Sequence, residues 1–418
     1  MAANKGSTPW RTDRWFVSPW NYLEETRKDL ALPKRVRFHD VSLRDGEQQA
    51  GVEFTPKEKL KLATMLAEAG VHRIEAGMPA VSKYDAQAIR DIVKEKLPAE
   101  IFSFSRCMVD DVKRAQDTGV KGILMEVPSS EHMIKYAYQW TVEKAIDLVI
   151  EATQFAKSQG LYTVFFPIDA SRAEMGWYLS MIEKVATEGH MDALALVDTM
   201  GVLSPHAVSY FVRETKARIK KPLETHFHMD FGLGVANTLI AVAQGAEVVH
   251  STVSGIGERA GNVPMEDVAL SLLTMYGVDT GLKTEHFTKL SRYVRKIAKQ
   301  PMIENRQIVG DRLFDVESGI ISTWYKNVRG TENLLEAFPF HWDLVGQKAP
   351  RIVLGKNSGL DSIKMHLERM RVRATDDQLN ELLMRVKAAS MKKKGLVEEE
   401  EFKRLVKSVV KKAGKKAA

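Results

Sequence analysis

The sequence predicts a (β/α)8 TIM barrel followed by a mainly helical carboxyl-terminal region. From Arg35 onwards, short apolar runs alternate with helical stretches eight times, and about 240 residues is the usual length of such a barrel. Runs such as 193–197 are too short for helices and are apolar on both faces, as buried parallel strands are. A doubly wound sheet is the alternative, but no Gly-x-Gly-x-x-Gly motif follows the first strand. The candidate strands span 35–41, 71–77, 100–105, 121–127, 161–167, 191–197, 223–228 and 246–252.

Helix signals lie between and after these strands. Thr55 followed by Pro56 is typical of a helix start, because threonine caps free backbone amides and proline lacks an amide hydrogen. A second amphipathic stretch covers 141–159, and Gly160 is a typical stop signal. After about residue 280 the alternation ends, and the pattern predicts helices over 284–300, 358–370 and 376–412.

Three segments follow from this pattern: an arm over 1–34, a catalytic barrel over 35–280 and a helical linker with a carboxyl-terminal subdomain over 281–418. The arm is rich in large rings, and such rings seldom remain in water. We therefore expect the arm to pack on its own barrel or on a second subunit. Its rings belong to Trp10, Trp15, Phe16, Trp20 and Tyr22.

Composition narrows the class of protein. The single cysteine, Cys107, excludes an intrachain disulfide framework, which fits a reducing cytoplasm. We expect its side chain to be buried in the core without a chemical role. No apolar run approaches the ~20 residues that span a bilayer, and no secretory signal precedes the barrel, so we expect a cytoplasmic protein without membrane contact. Much of the net charge of +7 lies in the last thirty residues, mixed with acidic groups, with a basic tail at Lys415 and Lys416. No nucleic-acid motif accompanies it, so we expect no nucleic-acid partner.

Polar residues gather where the predicted strands end, which is where catalytic groups of such barrels lie. They are Arg44, Asp45 and Gln48 after the first strand, Glu75 near the end of the second, Arg106 after the third, His132 after the fourth, Asp169 and Arg172 after the fifth, Thr199 after the sixth, His226 and His228 in the seventh, and Asn262 after the eighth. Histidines two apart on a strand point to the same side. If Asp45 meets both of them, the three form a half-open site for a divalent cation beside Arg44, suited to polarising a carbonyl.

Several of these residues have a second interpretation. Asp45 alone could cap a loop, and Glu75 could be a substrate contact or a structural partner of Arg44. The glycine-rich segment 255–262 could be only a tight turn, although Asn262 then lies near the barrel mouth with an amide oxygen able to coordinate. His250 is expected to be a hydrogen-bonded core residue, and Asp40 is expected to orient the loop that carries Arg44.

Together these residues resemble the isopropylmalate, homocitrate and citramalate synthase family of metal-dependent TIM barrels, which is related to hydroxymethylglutaryl-CoA lyase. The resemblance runs from about residue 35 to beyond 360. The matching stretches are 43–48, 74–79, 198–201, 226–234, 255–262, 308–310, 317–320 and 352–359.

The resemblance implies a Claisen-type condensation of an α-keto acid with an acyl-CoA, usually acetyl-CoA, and a homodimer in which the linker region reaches the neighbouring barrel. It implies catalytic roles for Arg44 and Glu75, with Arg44 stabilising the developing alkoxide. The implied ligands of the divalent metal (Mg, Mn or Zn) are Asp45, His226, His228 and Asn262. The implied substrate pocket contains Gln48, Arg106, His132, Asp169, Arg172 and Thr199.

The sequence departs from the family in its proton-transfer groups. The family has a glutamate where this chain has Ile168, histidines where it has Val316 and Ile321, and a tyrosine near Ala337 or Phe338. The usual asparagine after the second strand-seven histidine is Met229. Losing a positioned base costs about 10²–10⁴-fold in rate.

Three functions remain open on these departures. A condensing synthase requires a relocated base, for which His341 is the candidate, with Tyr325 or His132 as others. A lyase or aldolase that cleaves a β-hydroxy acid or its CoA thioester needs no such base. A catalytically silent protein that binds metal and keto acid is the third.

Overall fold

The computed structural model describes residues 8–413, with side chains to residue 410. Two compact units divide the chain. One is Trp20–Met302, and the other joins the described residues up to Pro19 with those from Ile303 onward. These divisions differ from the expected boundaries after residues 34 and 280. The basic tail at Lys415 and Lys416 lies outside the described residues.

The first unit is a closed barrel of eight parallel strands in chain order, which confirms the predicted fold class. Strand β8 pairs with β1 along its whole length, with Arg37 opposite Val248 and Asp40 opposite Ser251. Every strand lies within two residues of its predicted ends, because each short apolar run is buried on both faces. The strands are β1 Arg37–Asp40, β2 Arg73–Glu75, β3 Glu100–Arg106, β4 Gly122–Pro128, β5 Tyr162–Ile168, β6 Ala193–Asp198, β7 Leu223–Phe227 and β8 Val248–Ser251.

Helices follow the strands and cover the barrel. Thr55 forms a capping box with Glu58, and Thr141 accepts a hydrogen bond from the amide of Lys144, so both predicted helix starts are confirmed. The helices of this unit are α1 Glu24–Arg27, α2 Pro56–Glu68, α3 Lys83–Lys94, α4 Val109–Gln116, α5 Glu131–Tyr136, α6 Val142–Ser158, α7 Met175–Glu188, α8 Pro205–Arg218, α9 Gly234–Ala243, α10 Met265–Ser271 and α11 Phe287–Ile297.

The barrel interior has two unlike halves. The half formed by β3 to β6 is apolar, and the half formed by β7, β8, β1 and β2 carries buried charged and imidazole groups. The apolar half contains Phe102, Phe104, Leu124, Val164, Phe166, Ala193, Ala195 and Val197. The polar half contains His39, Arg73, Glu75, Glu224, His226 and His250. Cys107 is buried, as expected.

The second unit is mainly helical, with a short parallel pair of strands, β9 Asp315–Val316 and β10 Arg351–Ile352. Its helices are α12 Gly319–Val328, α13 Leu360–Met370, α14 Asp376–Lys393 and α15 Glu399–Ala413. Helix α12 was not predicted. No helix within residues 8–413 is both long and apolar enough to cross a membrane.

The prediction of one helix over 376–412 is wrong, because the chain breaks between α14 and α15. Lys394 has a positive φ of 53°, which ends α14. The amide of Val397 then donates to the carbonyl of Leu354 at 2.7 Å, and α15 begins at Glu399. The break allows Phe402 to pack in the same core as Leu354.

The aromatic residues of the amino-terminal arm are divided between the two units. The amide of Phe16 donates to the carbonyl of Pro339 at 2.9 Å, and Trp15 forms a backbone bridge with Phe340, so this part packs within the helical unit rather than on the barrel. Tyr22 belongs to the barrel unit, where its hydroxyl donates to the carbonyl of Thr274 at 2.7 Å.

Candidate metal centre and active site

Asp45, His226 and His228 meet at one end of the barrel, where strands β1 and β7 finish. The Asp45 Oδ2 atom lies 3.4 Å from His226 Nε2 and 3.9 Å from His228 Nε2. All three side chains are buried, and each offers one ligand atom within 4.8 Å of the others. The buried Nδ1 of His228 has no hydrogen-bond partner among the described residues. One carboxylate with two imidazoles is a donor set that fits a divalent cation.

The electrostatics of this cluster suit a cation. Burial lowers the pKa of His226 to about 3 and also lowers the pKa of His228, so both imidazoles are neutral near pH 7 and keep a lone pair. Burial opposes ionisation of Asp45, but the Arg44 guanidinium holds its pKa well below the usual value. An ionised carboxylate beside two neutral imidazoles attracts a positive ion.

Asn262 adjoins the cluster from the loop after β8. Its Nδ2 donates to Asp45 Oδ1 at 2.6 Å, and its backbone forms a bridge with His228. In this orientation the amide nitrogen faces Asp45, so coordination through the oxygen requires the amide to turn over. Gly257 has a φ of 148°, and a Cβ there would collide with the Asn262 amide. The glycine-rich segment 255–262 is thus a tight turn, and the missing Cβ at Gly257 leaves space for the Asn262 amide beside Asp45.

Arg44 lies beside the cluster and is held from three directions. Its Nη1 donates to Asp45 Oδ2 at 2.7 Å and to Gln48 Oε1 at 3.2 Å, and its Nε donates to Glu75. The guanidinium carbon lies 4.1 Å from the ring centre of Phe104. The buried Nη2 has no partner among the described residues and can donate to a bound anion. Glu75 therefore contacts Arg44 directly and positions it. Asp40 accepts from the amide and hydroxyl of Ser42, just before that loop, as expected.

A second polar network surrounds Asp169 after β5. Arg172 donates to both Asp169 oxygens at 2.7 and 3.0 Å, and His132 Nε2 lies 3.0 Å from Oδ2. The Asp169 amide donates to Thr199 Oγ1 at 2.8 Å. The structure thus brings together four of the six residues predicted for the substrate pocket. A fifth, Gln48, lies at the cation cluster.

Two predicted residues are not brought into these networks. Arg106 donates to both carboxylate oxygens of Asp111 at 2.7 and 3.1 Å, and its side chain is 45% exposed. His341 belongs to the helical unit, where it hydrogen-bonds Asp343 and stacks on Trp342 at 3.9 Å between ring centres.

Glu126 on β4 is a candidate that the sequence reasoning missed. It is 8% exposed and accepts a hydrogen bond from the Tyr138 hydroxyl. Burial raises its pKa, although the nearby Arg44 and Arg106 act against the rise. The available signal was a single acidic residue in an otherwise apolar strand, two positions after the interior residue Leu124 and so on the same face.

A cavity of about 910 Å³ opens beside Arg44 and Gln48. Tyr84, Ser82 and Lys299 also line it. This volume is at the upper end of the range for small-molecule sites, about 300–1,000 Å³.

The barrel segment, residues 35–294, matches the model of the HMGL-like family. The chain is 37% identical over 399 residues to the 2-isopropylmalate synthase of Methanocaldococcus jannaschii, covering 94% of this chain and 75% of that protein. The chain belongs to the HMGL-like family. A second relative, the homocitrate synthase of Methanothermobacter thermautotrophicus, is 36% identical over 397 residues, covering 95% of this chain and 98% of that protein. The predicted family resemblance is confirmed.

Solved structures support the fold of this HMGL-like protein. The crystal structure of HMG-CoA lyase from Bacillus subtilis matches with a TM-score of 0.60 and 19% identity, covering 66% of this chain and 97% of that chain. At this identity the likeness shows the barrel architecture alone.

Proposed function

We propose that this protein is a divalent-metal-dependent condensing enzyme that joins an acyl-CoA, in the first place acetyl-CoA, to an α-keto acid. The observation that carries the proposal is the buried cluster of Asp45, His226 and His228 beside Arg44 at the barrel mouth. The relatives named as isopropylmalate and homocitrate synthases support the same class of reaction.

Asp45, His226 and His228 would hold the cation, and the Asn262 amide oxygen would be a fourth ligand if the amide took the opposite orientation. A bound divalent cation supplies Lewis acidity to a keto carbonyl. The free Nη2 of Arg44 donates to the substrate carboxylate or to the oxygen on which negative charge develops. Glu75 and the Phe104 ring keep the guanidinium in this orientation.

We assign the missing base to Glu126, assisted by Tyr138. Glu126 is buried on the interior face of β4, and its raised pKa brings it closer to neutral pH, which favours proton transfer. Its carboxylate accepts the α-proton of the thioester, and the Tyr138 hydroxyl orients it. The resulting enolate attacks the keto carbon, the alkoxide takes up a proton, and water then hydrolyses the thioester to release CoA. We prefer Glu126 to His341 because Glu126 lies in the same unit as the cation ligands, whereas His341 belongs to the other unit.

Arg172 and His132 are the proposed specificity contacts for the keto acid, and Asp169 holds them in place. Ile168 ends β5 next to this network, so an apolar group lies where an acidic one is usual in the family. This replacement favours a keto acid with an apolar side chain. The cavity beside Arg44 and Gln48 is the proposed entry for the acyl-CoA.

A thiol-release assay tests the function. The protein is mixed with acetyl-CoA and a panel of α-keto acids in the presence of Mg²⁺, Mn²⁺ or Zn²⁺. We expect free CoA to be released with one of the keto acids. This release should be lost in Asp45→Asn. Cleavage of β-hydroxy acids or their thioesters without condensation would favour the lyase alternative. Metal-dependent keto-acid binding without turnover in either direction would favour the silent binder.

We infer a cytoplasmic homodimer that uses the helical unit for contact. Ile320 and Trp324 lie one turn apart on α12 and are 74% and 43% exposed, an unusual position for large apolar groups. A second copy of this chain is the proposed occupant, as the family resemblance implies. Analytical ultracentrifugation should show a dimer for the wild type and weaker dimerisation for Ile320→Asp. A monomeric wild type would reject the proposed homodimer.

A further inference from the structure

A chain of buried polar groups leads away from the proposed cation site towards the middle of the barrel. His226 Nδ1 lies 3.3 Å from His250 Nδ1 on the neighbouring strand β8. His250 Nε2 lies 2.7 Å from Glu224 Oε2, and Arg73 Nη1 donates to Glu224 Oε1 at 2.7 Å. All four residues are at most 3% exposed. None of the steps proposed above uses Arg73, Glu224 or His250.

The partners determine where each proton lies. A carboxylate paired with Arg73 accepts hydrogen bonds only, so His250 must donate from Nε2. A neutral imidazole that donates from Nε2 carries its lone pair on Nδ1. The short approach of the two Nδ1 atoms is then a hydrogen bond only if His226 donates from its own Nδ1. His226 Nε2, the atom nearest Asp45 Oδ2, is left without a proton.

We propose that Arg73, Glu224 and His250 form a positioning relay that holds His226 in the tautomer whose Nε2 lone pair faces the cation. The inference rests on the cation site of the proposed function. In metal sites, an imidazole ligand is commonly oriented through its second nitrogen, and loss of that partner weakens metal affinity about 10–100-fold. These three residues are positioning residues rather than ligands.

The same groups could in principle hold a second cation, because His39, Glu224 and His250 also present ligand atoms within 4.8 Å of one another. Charge argues against this. The single carboxylate of that group is already paired with Arg73, whose other carboxylate, the partly exposed Glu100, lies farther away at 3.4 Å. A divalent ion there would compete with a buried guanidinium for Glu224. His39 Nε2 is instead 3.3 Å from Glu75 Oε2. The relay satisfies Glu224 and His250 without adding charge.

Nitrogen-15 NMR of the metal-free protein labelled at histidine measures the tautomers directly. We expect His226 to carry its proton on Nδ1 and His250 on Nε2, with each signal assigned by its loss in His226→Gln or His250→Asn. Protonation of His226 on Nε2 would overturn the relay. The variants serve only to assign the signals, and the tautomers themselves are measured in the wild-type protein without any cation.

A pair of variants at one position tests the effect on the cation. In His250→Asn the amide oxygen can replace Nδ1 as acceptor for His226, whereas His250→Phe has no acceptor, and both lose the bond to Glu224. We expect the Mn²⁺ dissociation constant to rise about 10–100-fold in His250→Phe and by no more than about threefold in His250→Asn. Equal weakening in both would show a merely structural role and overturn the relay.

Stoichiometry and one control separate the two proposals. We expect one Mn²⁺ per chain, and a second ion that is lost in His39→Phe would overturn the relay. Mn²⁺ binding that persists undiminished in Asp45→Asn would instead reject the cation site of the proposed function. The tautomers of the metal-free protein would still decide the relay.

Discussion

The two halves of the barrel interior belong to one closed sheet, but they are formed by different strands and differ in chemistry. In β3 to β6 the inward side chains are rings and aliphatic groups, whose burial contributes about 25 cal/mol per Å² of apolar surface. In β7, β8, β1 and β2 the inward side chains are charged or imidazole groups. Such burial is tolerable because the charges are paired, Arg44 with Glu75 and Arg73 with Glu224.

The apolar half also shapes the polar half. Phe166 lies edge-on to His226 at 4.8 Å between ring centres, and Phe104 lies under the Arg44 guanidinium. Arg73 is covered by the Phe102 ring at 4.9 Å. The rings of one half therefore limit the orientations available to the ionic and imidazole groups of the other. Four predictions test this division, beginning with the largest effect.

Glu126 is a buried acidic group on the interior face of the apolar half, and its replacement should have the largest effect. In Glu126→Gln we expect kcat to fall about 10²–10⁴-fold, because the positioned base is lost while shape is kept. Mn²⁺ affinity should stay unchanged, since Glu126 is not among the proposed ligands. Steady-state thiol release and Mn²⁺ titration measure the two quantities. Loss of less than threefold in kcat would remove Glu126 from the mechanism.

Removing one charge from the polar half should destabilise the fold strongly. Glu224→Leu removes the buried carboxylate of Arg73 and leaves only the longer, partly exposed contact with Glu100. We expect the free energy of unfolding to fall by up to about 3–5 kcal/mol in denaturant titrations. Replacing both partners, as in Arg73→Met with Glu224→Leu, should recover most of that loss. As a control, Glu368→Leu breaks an exposed pair with Arg329 and should change stability by at most about 1 kcal/mol. Equal losses of stability in Glu224→Leu and Glu368→Leu would contradict a special cost of breaking the buried pair.

Asp40 should make the stability of the polar half depend on pH. Burial raises the pKa of Asp40 to about 7, against the lowering effect of its hydrogen bonds with Ser42. A carboxyl whose folded pKa lies above its unfolded pKa binds its proton more tightly when folded. Its favourable contribution is therefore complete below about pH 4 and is lost as pH rises to about 7.

The matched variant for this prediction is Asp40→Asn, which keeps an acceptor for the Ser42 amide. Between pH 4 and 7 we expect the stability of the wild type to fall relative to Asp40→Asn by about 1.4 kcal/mol per pH unit at most. Unfolding curves of both proteins across this range measure the difference. Parallel pH profiles would show that Asp40 is ionised in the folded protein throughout.

The smallest effect is expected from a conservative apolar change in the apolar half. Phe166→Leu keeps the site apolar but removes part of the ring volume, so the free energy of unfolding should fall by about 1–2 kcal/mol. The His226 ring loses its edge contact, and Mn²⁺ affinity should weaken modestly, whereas Phe211→Leu outside the barrel interior should leave it unchanged. An equal change in Mn²⁺ affinity in both variants would show that the Phe166 ring does not support the cation site.

Much of the fold could be predicted because its signals are local. Alternating apolar runs and capping residues such as Thr55 identify strands and helices from a few neighbours along the chain. The meeting of Asp45 with His226 and His228 was also predictable, since catalytic barrels place strand ends at one mouth and side chains alternate along a strand.

Only the tertiary structure decided which polar groups pair. That Arg106 turns to Asp111, that His250 reaches His226 and that Tyr138 covers Glu126 depend on how the closed barrel brings strands and loops together. The break at Lys394 and the division of the aromatic arm likewise depend on long-range packing. The periodicity of the sequence indicates whether a residue is buried or exposed. Which group a buried polar side chain pairs with depends on the position and charge of residues far away in the chain.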